Sequence, residues 1–560
     1  MDKYKFACGC EIDQKNDIIK EYDGLPPLHI PYDDIYIKLN YGKWCDETWN
    51  LISNGYTKGV FQLESYLGKA WAKKLQPHTM EEICALIAII RPGTLNSLVE
   101  LPSGKSKSMT QLYVDRKHGV EPVTSIYAAL EPILSSTYQV LTYQEQSMQI
   151  ATHIAGFNEQ EADLLRKAIG KKNPELMASL RKSFVEGCIK IGKVNREEAN
   201  EIFDIIEKSN RYSFNKSHSY SYGTIGYTAA FVKYHCPIHF FCSWIKFAKE
   251  KPDPLEELRQ LVAESKTMGI SINPPILEIM ARNSGDVCIH KNNVHLGIKC
   301  IKGIGESSIN KMISFVEGLE KLISKPIHTW SWMEFLRYMA GNLNKRVVNN
   351  LICSGILSNW GISRQRLLHE YNIYQSLTDR EKECMININE PNICVALEHL
   401  ISTPRAAGGP STKSRQEKLK EVLKTAKNPA FSLDDTPKWI LTQEKELFGT
   451  PLTYKLVDTV SSTFEANTTC KEFENGKNRN NMSMVVEVSS CREWEIKSGK
   501  NKGQVMGFIT VEDASGKVDC VAFSEVWENN NHLLTEGNTV AIIGERSNKG
   551  SFMINKVFQI

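Results

Sequence analysis

The chain has 560 residues, of which 41% are hydrophobic and 24% charged, a composition typical of a soluble globular protein with about three to five domains. Its formal net charge of +3 and its pI of about 8.0 neither require nor exclude nucleic acid as a partner, so any basic surface must be local. The sequence shows no secretory signal, no apolar run suited to crossing a membrane, and 15 scattered cysteines. These features predict a cytoplasmic protein with reduced thiols.

Two cysteines near the start raise the question of a metal site. Cys8 and Cys10 supply two thiolates of the kind that zinc prefers, but a tetrahedral site needs four ligands, and neither a second pair nor a histidine follows close by. The spacing does not distinguish a zinc site from an ordinary turn, so we assign no metal ligand.

Helical patterns dominate the chain from residue 58 to residue 250. Thr79 and Asn158 each precede acidic residues and an apolar stripe at helical spacing, which is the pattern of a capped amphipathic helix. Pro237 interrupts a long apolar run and predicts two buried helices that meet at this residue. Residues 58–250 are therefore predicted to form one helical domain.

The pattern changes again farther along the chain. Residues 251–403 continue the helical pattern, residues 404–437 are rich in Pro, Gly, Ser and Lys and predict a linker or a mobile basic helix, and residues 438–480 connect to the next region. From 481 to 560, apolar and polar residues alternate in five short runs, which predict a small Greek-key barrel of the OB kind. The predicted fold is thus multidomain and mainly α-helical, with an all-β barrel last.

The stretch "ADLLRKAIGKK" predicts a basic helix. It holds Arg166, Lys167, Lys171 and Lys172, and Lys167 lies one helical turn before Lys171. Like charges one turn apart cost some stability, so a bound anion would explain them. A solvated basic face is the alternative interpretation, and periodicity alone leaves both open.

A second polar cluster lies in "RYSFNKSHSYSYG". Four adjacent hydrogen-bonding residues stand there inside an aromatic frame: Asn215, Lys216, Ser217 and His218, between Tyr212, Phe214, Tyr220 and Tyr222. Such a stretch indicates either a structural turn with packed rings or a pocket for a ligand that is both flat and charged.

The stretch "IKCIKGIGESSINKMI" has the form of a helix-hairpin-helix. Gly303 and Gly305 allow a tight turn whose backbone N–H groups, together with the start of the next helix, suit a phosphate. Lys299 and Lys302 add positive charge, so the sequence favours a contact with the DNA backbone over an ordinary Gly-rich turn.

Aromatic and basic residues also occur between the first two predicted strands, in "REWEIKSGKNKGQ". Trp494 would stack on a base of single-stranded nucleic acid, and Lys497, Lys500 and Lys502 would contact its backbone. A barrel that contacts only protein is the alternative interpretation.

The stretch "WILTQEKELFGTPL" approaches a sliding-clamp peptide, which would have the pattern Q-x-x-L-F. Gln443 stands one residue too far from Leu447 and Phe448 for that pattern. The sequence therefore favours an amphipathic helix that packs against the barrel.

Five motifs follow one another in a distinctive order: "GVFQLES" at 59–65, "RPG" at 91–93, "YQEQSMQIA" at 143–151, "ADLLRKAIGKK" at 162–172 and "FNKSHS" at 214–219. With the hairpin and the barrel behind them, they closely resemble the fingers and following domains of the bacterial replicative DNA polymerases of family C, the DNA polymerase III α subunits. The resemblance covers about residues 45–560.

The resemblance implies template-directed transfer of deoxynucleotides to a primer 3′ end, with dNTPs and primer–template DNA as partners and a sliding clamp as a further candidate. By motif position, Arg166 and Lys167 would face the triphosphate, Lys171 and Lys172 would add phosphate or template contacts, and the residues Asn215 to His218 would contact the nucleotide. The family usually has two arginines at the first two positions, so Lys167 departs from the pattern, and a lysine lacks the bidentate fork of an arginine.

The family holds its catalytic Mg²⁺ ions with three aspartates of a palm that precedes these motifs. Residues 1–57 would be an N-terminal segment that is either a remnant or the edge of such a palm. No D-x-D strand is recognisable in the sequence, and Asp33 and Asp34 stand in a different context. We therefore assign no catalytic residue here and expect a split, phage-type polymerase whose palm and phosphoesterase domains lie on another polypeptide. A non-catalytic DNA-binding replication factor is the alternative.

Overall fold

The computed structural model describes most of the chain from residue 45 onward and two short strands before it. The described residues are 3–5, 11–13, 45–101, 104, 106–171, 174–210, 213–277, 285–340, 342–388, 390, 392–454, 464–476, 481–497, 502–513, 515–536, 538–547 and 550–560. The chain divides into two compact units, Met1–Pro237 and Ile238–Ile560. Within the described residues, no helix is long and apolar enough to cross a membrane.

The first unit is mainly helical. Its helices are α1 (Asp46–Ser53), α2 (Tyr66–Leu75), α3 (Met80–Ile89), α4 (Pro92–Asn96), α5 (Met109–Lys117), α6 (Glu131–Leu134), α7 (Gln144–Ala155), α8 (Glu159–Lys171), α9 (Pro174–Ile191), α10 (Arg196–Asn210) and α11 (Lys216–His235). Strand β1 (Lys3–Lys5) pairs with β2 (Glu11–Asp13), and β3 (Leu98–Glu100) pairs with β4 (Ser106–Ser108), both antiparallel.

The predicted helix caps are confirmed in this unit. The hydroxyl of Thr79 accepts a hydrogen bond from the backbone N–H of Glu82 at 3.2 Å. Asn158 and Glu161 bond reciprocally, since each side chain accepts from the other's backbone N–H at 2.9 Å. Each cap satisfies backbone donors that a helix cannot satisfy internally.

Close packing between α3 and α11 positions the later site. The added Cβ of any larger residue at Gly223 would lie 2.9 Å from the sulfur of Cys84, so only glycine lets α11 approach α3 this closely. Helices α7 to α10 enclose a core of their own, which includes Ile150, Phe184 and Phe203.

Further helices precede the barrel in the second unit, and the first of them begins at the boundary residue Pro237. They are α12 (Pro237–Ala248), α13 (Pro254–Thr267), α14 (Glu306–Ile323), α15 (Trp332–Phe335), α16 (Lys345–Ser354), α17 (Arg364–Gln375), α18 (Asp379–Asn387), α19 (Ile393–Ser402), α20 (Lys413–Lys427), α21 (Pro437–Phe448) and α22 (Cys470–Glu474). A small sheet precedes α14, with strand order β5 (Ile272–Asn273), β7 (Asn293–His295) and β6 (Cys288–His290).

Two predictions from the sequence can be compared with the helical part of the structure. The apolar run breaks at Pro237 as predicted, because α11 ends at His235 and α12 begins at Pro237. In the region interpreted as a linker or a basic helix, α20 packs against α19 with Leu419 fully buried, and Arg415 donates to both carboxylate oxygens of Glu381, at 2.9 and 2.6 Å.

A closed barrel forms the end of the described fold, as the five alternating runs predicted. Its elements are β8 (Met482–Glu495), β9 (Val505–Asp513), β10 (Gly516–Ala522), α23 (Ser524–Asn530), β11 (Thr539–Arg546) and β12 (Phe552–Gln559), with strand order β10-β12-β11-β8-β9. Strands β10 and β12 pair in parallel and the other neighbours antiparallel. Val486, Val511 and Ile542 point into a core that the alternating pattern supplies.

Candidate functional site

The polar cluster at Asn215–His218 caps the N-terminus of helix α11. The Oδ1 atom of Asn215 accepts hydrogen bonds from the backbone N–H of His218, at 2.8 Å, and from the hydroxyl of Ser217, at 2.6 Å. Asn215 and Ser217 thus fix the backbone of the loop. The ammonium group of Lys216 and the exposed imidazole of His218 are the groups that this cap presents.

Glu145, in the first turn of α7, holds the loop from the other side. Its two carboxylate oxygens accept hydrogen bonds from the side-chain amide of Asn215 and from the backbone N–H of Lys216, each at 2.9 Å. A short parallel bridge supports the same junction, in which Phe214 donates its N–H to the carbonyl of Thr142 at 3.0 Å. The loop is therefore tied to α7 by both side chain and backbone.

A continuous row of rings runs along the start of α11. The ring centroids of Phe214 and His218 are 5.4 Å apart, and those of His218 and Tyr222 are 3.9 Å apart. Phe61 meets Tyr222 edge-on at 5.0 Å, and the guanidinium of Arg91 stacks over Phe214 at 4.4 Å. Residues one helical turn apart thus form a partly exposed aromatic surface flanked by a cation. Tyr212, also part of the predicted frame, lies outside the described residues.

The loop that carries Phe61 is anchored by a buried lysine that the sequence analysis missed. Lys233, on α11, is fully buried and donates to the backbone carbonyls of Tyr56, at 3.0 Å, and Lys58, at 2.6 Å. A buried ammonium group needs such acceptors, because the charge would otherwise be unsolvated. Since α11 also carries His218 and Tyr222, this contact fixes the loop relative to the row of rings.

Lys216 is positioned to bind an anion. Its Nζ lies 3.3 Å from a carboxylate oxygen of Glu81 and 5.6 Å from the ring centroid of Tyr143, and its side chain is 38% exposed. An exposed ion pair contributes only about 0–1 kcal/mol, so Lys216 can exchange Glu81 for a ligand at little cost. Burial, and then Glu81, raises the pKa of the Cys84 thiol to about 12, so this neighbour adds no negative charge.

In the basic helix α8, Arg166 and Lys167 both form ion pairs with Asp163. Arg166 donates to one oxygen of Asp163 at 2.8 Å, and Lys167 lies 2.7 Å from the other. These two bonds, that of Lys167 first, lower the pKa of Asp163. Among the described residues, neither cation contacts the Asn215–His218 loop. Lys171 ends the helix, its side chain is not among the described ones, and Lys172 lies outside the described residues.

The turn of the predicted hairpin follows a three-residue 3-10 helix, Ile298–Cys300, and contains one glycine with a positive φ. Gly303 has φ +83°, which favours glycine, whereas Gly305 has φ −80° and caps α14 in an extended conformation. Lys299 pairs with Asp286 at 3.0 Å, and Lys302 is exposed. The hairpin therefore presents Lys302 and the first backbone N–H groups of α14.

Two side chains beside the hairpin were not found by the sequence analysis. A Cβ atom at Gly303 would lie 3.0 Å from the guanidinium of Arg346, which is exposed at the start of α16. Asn350, one turn later, donates to the carbonyl of Lys302 at 2.9 Å. The "NKR" stretch at 344–346 carried the signal of a capped helix with two cations, but only the tertiary fold brings Arg346 to the hairpin.

The outer face of the barrel carries a second aromatic and basic cluster. Trp494 and Phe508, on neighbouring strands, are 40% and 42% exposed and meet edge-on at 6.5 Å. Arg492 and Lys497 each lie 5.7 Å from the Trp494 ring. Phe508 and Arg492 were missed by the sequence analysis. Of the other predicted lysines, Lys502 is exposed in the turn before β9 and Lys500 lies outside the described residues.

Helix α21 buries the residues that approached a clamp peptide. Leu447 is 6% exposed and Phe448 fully buried, while Leu441 packs on Val485 and Ala541 of the barrel. The predicted amphipathic helix against the barrel is thus what forms here.

No group of three or more potential metal ligands occurs within the part of the chain that the structure describes. Cys8 and Cys10, like Asp33 and Asp34, lie outside the described residues.

Comparison with known families gives two matches. Residues 32–192 match the bacterial DNA polymerase III alpha subunit finger domain, and residues 483–554 match the OB-fold nucleic acid binding domain. The first match contains Arg91, Glu145 and the basic helix, and the second contains the aromatic and basic face of the barrel.

Curated relatives named DNA polymerase III subunit alpha align over nearly the whole chain. The protein of Aquifex aeolicus is 30% identical over 542 residues, which are 95% of this chain and 39% of the relative. That of Bacillus subtilis is 29% identical over 517 residues, 91% of this chain and 41% of the relative. That of Thermus aquaticus is 34% identical over 367 residues, 64% of this chain and 27% of the relative.

The chain thus spans about two fifths of the length of the Aquifex and Bacillus relatives. The finger segment comes first in the chain and the OB-fold segment last, and the structure has further helices between the two. The chain belongs to the bacterial DNA polymerase III α-subunit family and corresponds to the C-terminal part of that subunit.

Proposed function

We propose that this chain binds an incoming deoxynucleoside triphosphate and primer–template DNA as part of a replicative DNA-directed DNA polymerase of the cytoplasm. The observation that carries the proposal is the Asn215–His218 loop. It presents a partly exposed lysine beside a row of rings that includes the imidazole of His218. Asn215 bonds to Glu145, the neighbouring Phe214 stacks on Arg91, and both Glu145 and Arg91 lie inside the matched finger segment. Cations beside aromatic faces suit a ligand that joins phosphates to a flat base.

The cations of the first unit hold the triphosphate in this proposal. Lys216 exchanges Glu81 for a phosphate oxygen, and Arg166 and Lys167 exchange Asp163 in the same way, because each of these ion pairs is partly exposed and therefore weak. Lys171 and Lys172 add positive charge for phosphate or template. The rings of Phe214, His218 and Tyr222 contact the nucleoside.

The second unit binds DNA in this proposal. Lys302 and the backbone N–H groups at the start of α14 contact a phosphate of the duplex, with Arg346 beside them. Trp494 and Phe508 stack on bases of the single-stranded template, while Lys497 and its neighbours follow the backbone.

Catalysis needs Mg²⁺, which bridges the attacking and leaving oxygens in phosphoryl transfer. In this proposal the metal ligands are aspartates of a palm on a complementing polypeptide, as the resemblance to the family implies. We also propose a sliding clamp as a partner of this chain. It would bind a segment other than Gln443–Phe448, since Leu447 and Phe448 are buried.

Nucleotide binding is tested by measuring dNTP affinity of the chain and of the double variant Lys216→Ala, His218→Ala. We expect a loss of at least about tenfold, because a lost hydrogen bond to a charged group costs about 1.5–3 kcal/mol. The matched control is Lys182→Ala, an exposed lysine of α9. A chain that binds DNA but shows no dNTP affinity would instead support a non-catalytic DNA-binding factor.

Complementation is tested by primer extension with Mg²⁺ and dNTPs. We expect no extension by the purified chain and extension once a palm-containing polymerase fragment is added. Robust extension by the chain alone would refute the assignment of the metal ligands to another polypeptide.

A further inference from the structure

A small cleft opens beside the hairpin, between helices α12 and α13 and the segment that leads into the hairpin. Its cavity volume is about 60 Å³. The apolar side chains of Leu255 and Leu258 contribute to its walls, and three lysines line it together with one carboxylate: Lys246, Lys249, Lys299 and Asp286.

The charge of this cleft is strongly positive. Lys299 is paired with Asp286 at 3.0 Å, while Lys246, in the last turn of α12, and Lys249, in the turn directly after this helix, are exposed. Burial raises the pKa of the Cys300 thiol, which also lines the cleft, to about 11, so this group is neutral at physiological pH. Three lysines therefore line the cleft with one carboxylate, and this net positive charge suits an anion.

The size of the cleft limits that anion. A single water needs about 10–15 Å³ by a comparable measure, so about 60 Å³ accommodates a group of about four to six heavy atoms, which is the size of a phosphate. A nucleobase or a folded peptide segment is too large to enter. The walls formed by Leu255 and Leu258 leave the lysines as the groups that can bind the anion.

The cleft lies close to the proposed DNA-binding hairpin. Lys299 precedes Gly303 by four residues, which span at most about 14 Å of extended chain. Successive phosphates of one DNA strand advance about 3.4 Å along the duplex axis. A strand held by the hairpin therefore has further phosphates within reach of the cleft.

We propose that this cleft binds a backbone phosphate of the DNA strand held by the hairpin, with Lys246 and Lys249 as its contacts. The inference rests on the proposed function, since it requires the hairpin to bind DNA. It adds α12, at which the sequence analysis assigned no ligand, to the surface along which the duplex lies. Lys299 joins these contacts when it exchanges Asp286 for the phosphate.

The test is the salt dependence of duplex DNA binding by the full chain, measured by fluorescence anisotropy. The double variant Lys246→Ala, Lys249→Ala should reduce the slope of log K against log salt by about 0.9, because the cleft neutralises one phosphate and each neutralised phosphate contributes about 0.9. Both lysines are exposed, so the fold should tolerate the change. The matched control is Lys418→Ala, Lys424→Ala on the exposed side of α20, which removes the same charge and should leave the slope unchanged.

Two further variants make the outcome decisive. Asp286→Asn removes the carboxylate that competes with the phosphate for Lys299, so the affinity for duplex DNA should rise. Lys302→Ala tests the hairpin itself. If Lys302→Ala weakens binding but the Lys246, Lys249 pair leaves the slope unchanged, the cleft proposal is wrong and the hairpin assignment stands. If Lys302→Ala has no effect on affinity, the proposed role of the hairpin fails.

Discussion

At the scale of single residues, Glu145 determines the geometry of the proposed nucleotide site most directly. Its carboxylate is the acceptor for both the amide of Asn215 and the backbone N–H of Lys216. Asn215 in turn uses its own oxygen to cap α11. The orientation of Lys216 toward a ligand therefore depends on a residue of α7 that is more than 70 positions away in the sequence.

Replacing Glu145 with glutamine keeps the size and shape of the side chain but should weaken its hydrogen bonds to the Asn215–His218 loop. One oxygen becomes an amide donor and then faces another donor, because Asn215 cannot offer its oxygen without losing the cap. We expect a loss of about 1–2 kcal/mol in the free energy of unfolding in urea, and weaker dNTP binding. Glu175→Gln, at an exposed position in the first turn of α9, is the control. Unchanged stability and unchanged dNTP affinity would show that Glu145 does not position the loop.

At the scale of elements, the aromatic and basic cluster on the outer face of the barrel was only partly predicted from the sequence. Alternation along each strand identifies a buried and an exposed side. Trp494 was instead predicted from the aromatic and basic stretch between the first two strands, and the structure places it on β8, which continues to Glu495. The partners of Trp494 depend on the register between β8 and β9, which shifts at a bulge between Val488 and Ser490. Because a slip of one residue turns every following side chain to the other face, the cluster with Phe508 follows only from the paired strands.

Removing the ring of Phe508 tests that cluster. Phe508→Ala should weaken binding of single-stranded DNA by about 1–3 kcal/mol, the value of one base–aromatic stack, with little change in the salt slope. Lys497→Ala should instead reduce the slope by about 0.7. Phe558→Ala is the control, because this ring is 40% exposed, like Phe508, but packs beside Phe464. Equal losses for Phe508→Ala and Phe558→Ala would indicate a general effect on the barrel.

The junction between α21 and the barrel contains a partly buried ion cluster. Lys445 lies 2.7 Å from Glu487 and 2.7 Å from Glu512, and Lys517 lies 3.2 Å from Glu512. Burial alone raises the pKa of Glu512, but the hydrogen bond and the charge of Lys445 outweigh it and hold the pKa at about 2. The charged form of Glu512 is therefore favoured by the folded state.

The stability of the second unit should consequently depend on pH through Glu512. The folded pKa is depressed from 4.5 to about 2, so the contribution is fully present above pH 4.5 and is lost as the pH falls through about 2. The contribution amounts to about 3 kcal/mol. In Glu512→Gln, the free energy of unfolding should be lower at pH 6 and should fall less steeply between pH 4.5 and 2. Parallel pH profiles for the two proteins would contradict this account.

At the scale of the whole molecule, local signals were sufficient for the elements but not for the site. The caps at Thr79 and Asn158 and the five strands follow from short stretches of sequence. The stacking of Arg91 on Phe214 depends on how α3 packs against α11, which no single stretch encodes. The resemblance to known polymerases identified the motifs in the sequence. The fold shows that the motif at 214–219 contacts those at 91–93 and 143–151.

The division into two units leads to the last prediction, that nucleotide and DNA binding are separable. Lys216→Ala with His218→Ala changes only the first unit, so dNTP affinity should fall at least about tenfold while the salt slope for duplex DNA stays constant. Lys302→Ala with Trp494→Ala changes only the second unit, so DNA affinity should fall while dNTP affinity measured without DNA stays constant. Both measurements use the full chain, with Lys182→Ala as the common control. If either pair reduces both affinities equally, the two units do not bind their ligands independently, and the assignment of one ligand to each unit is wrong.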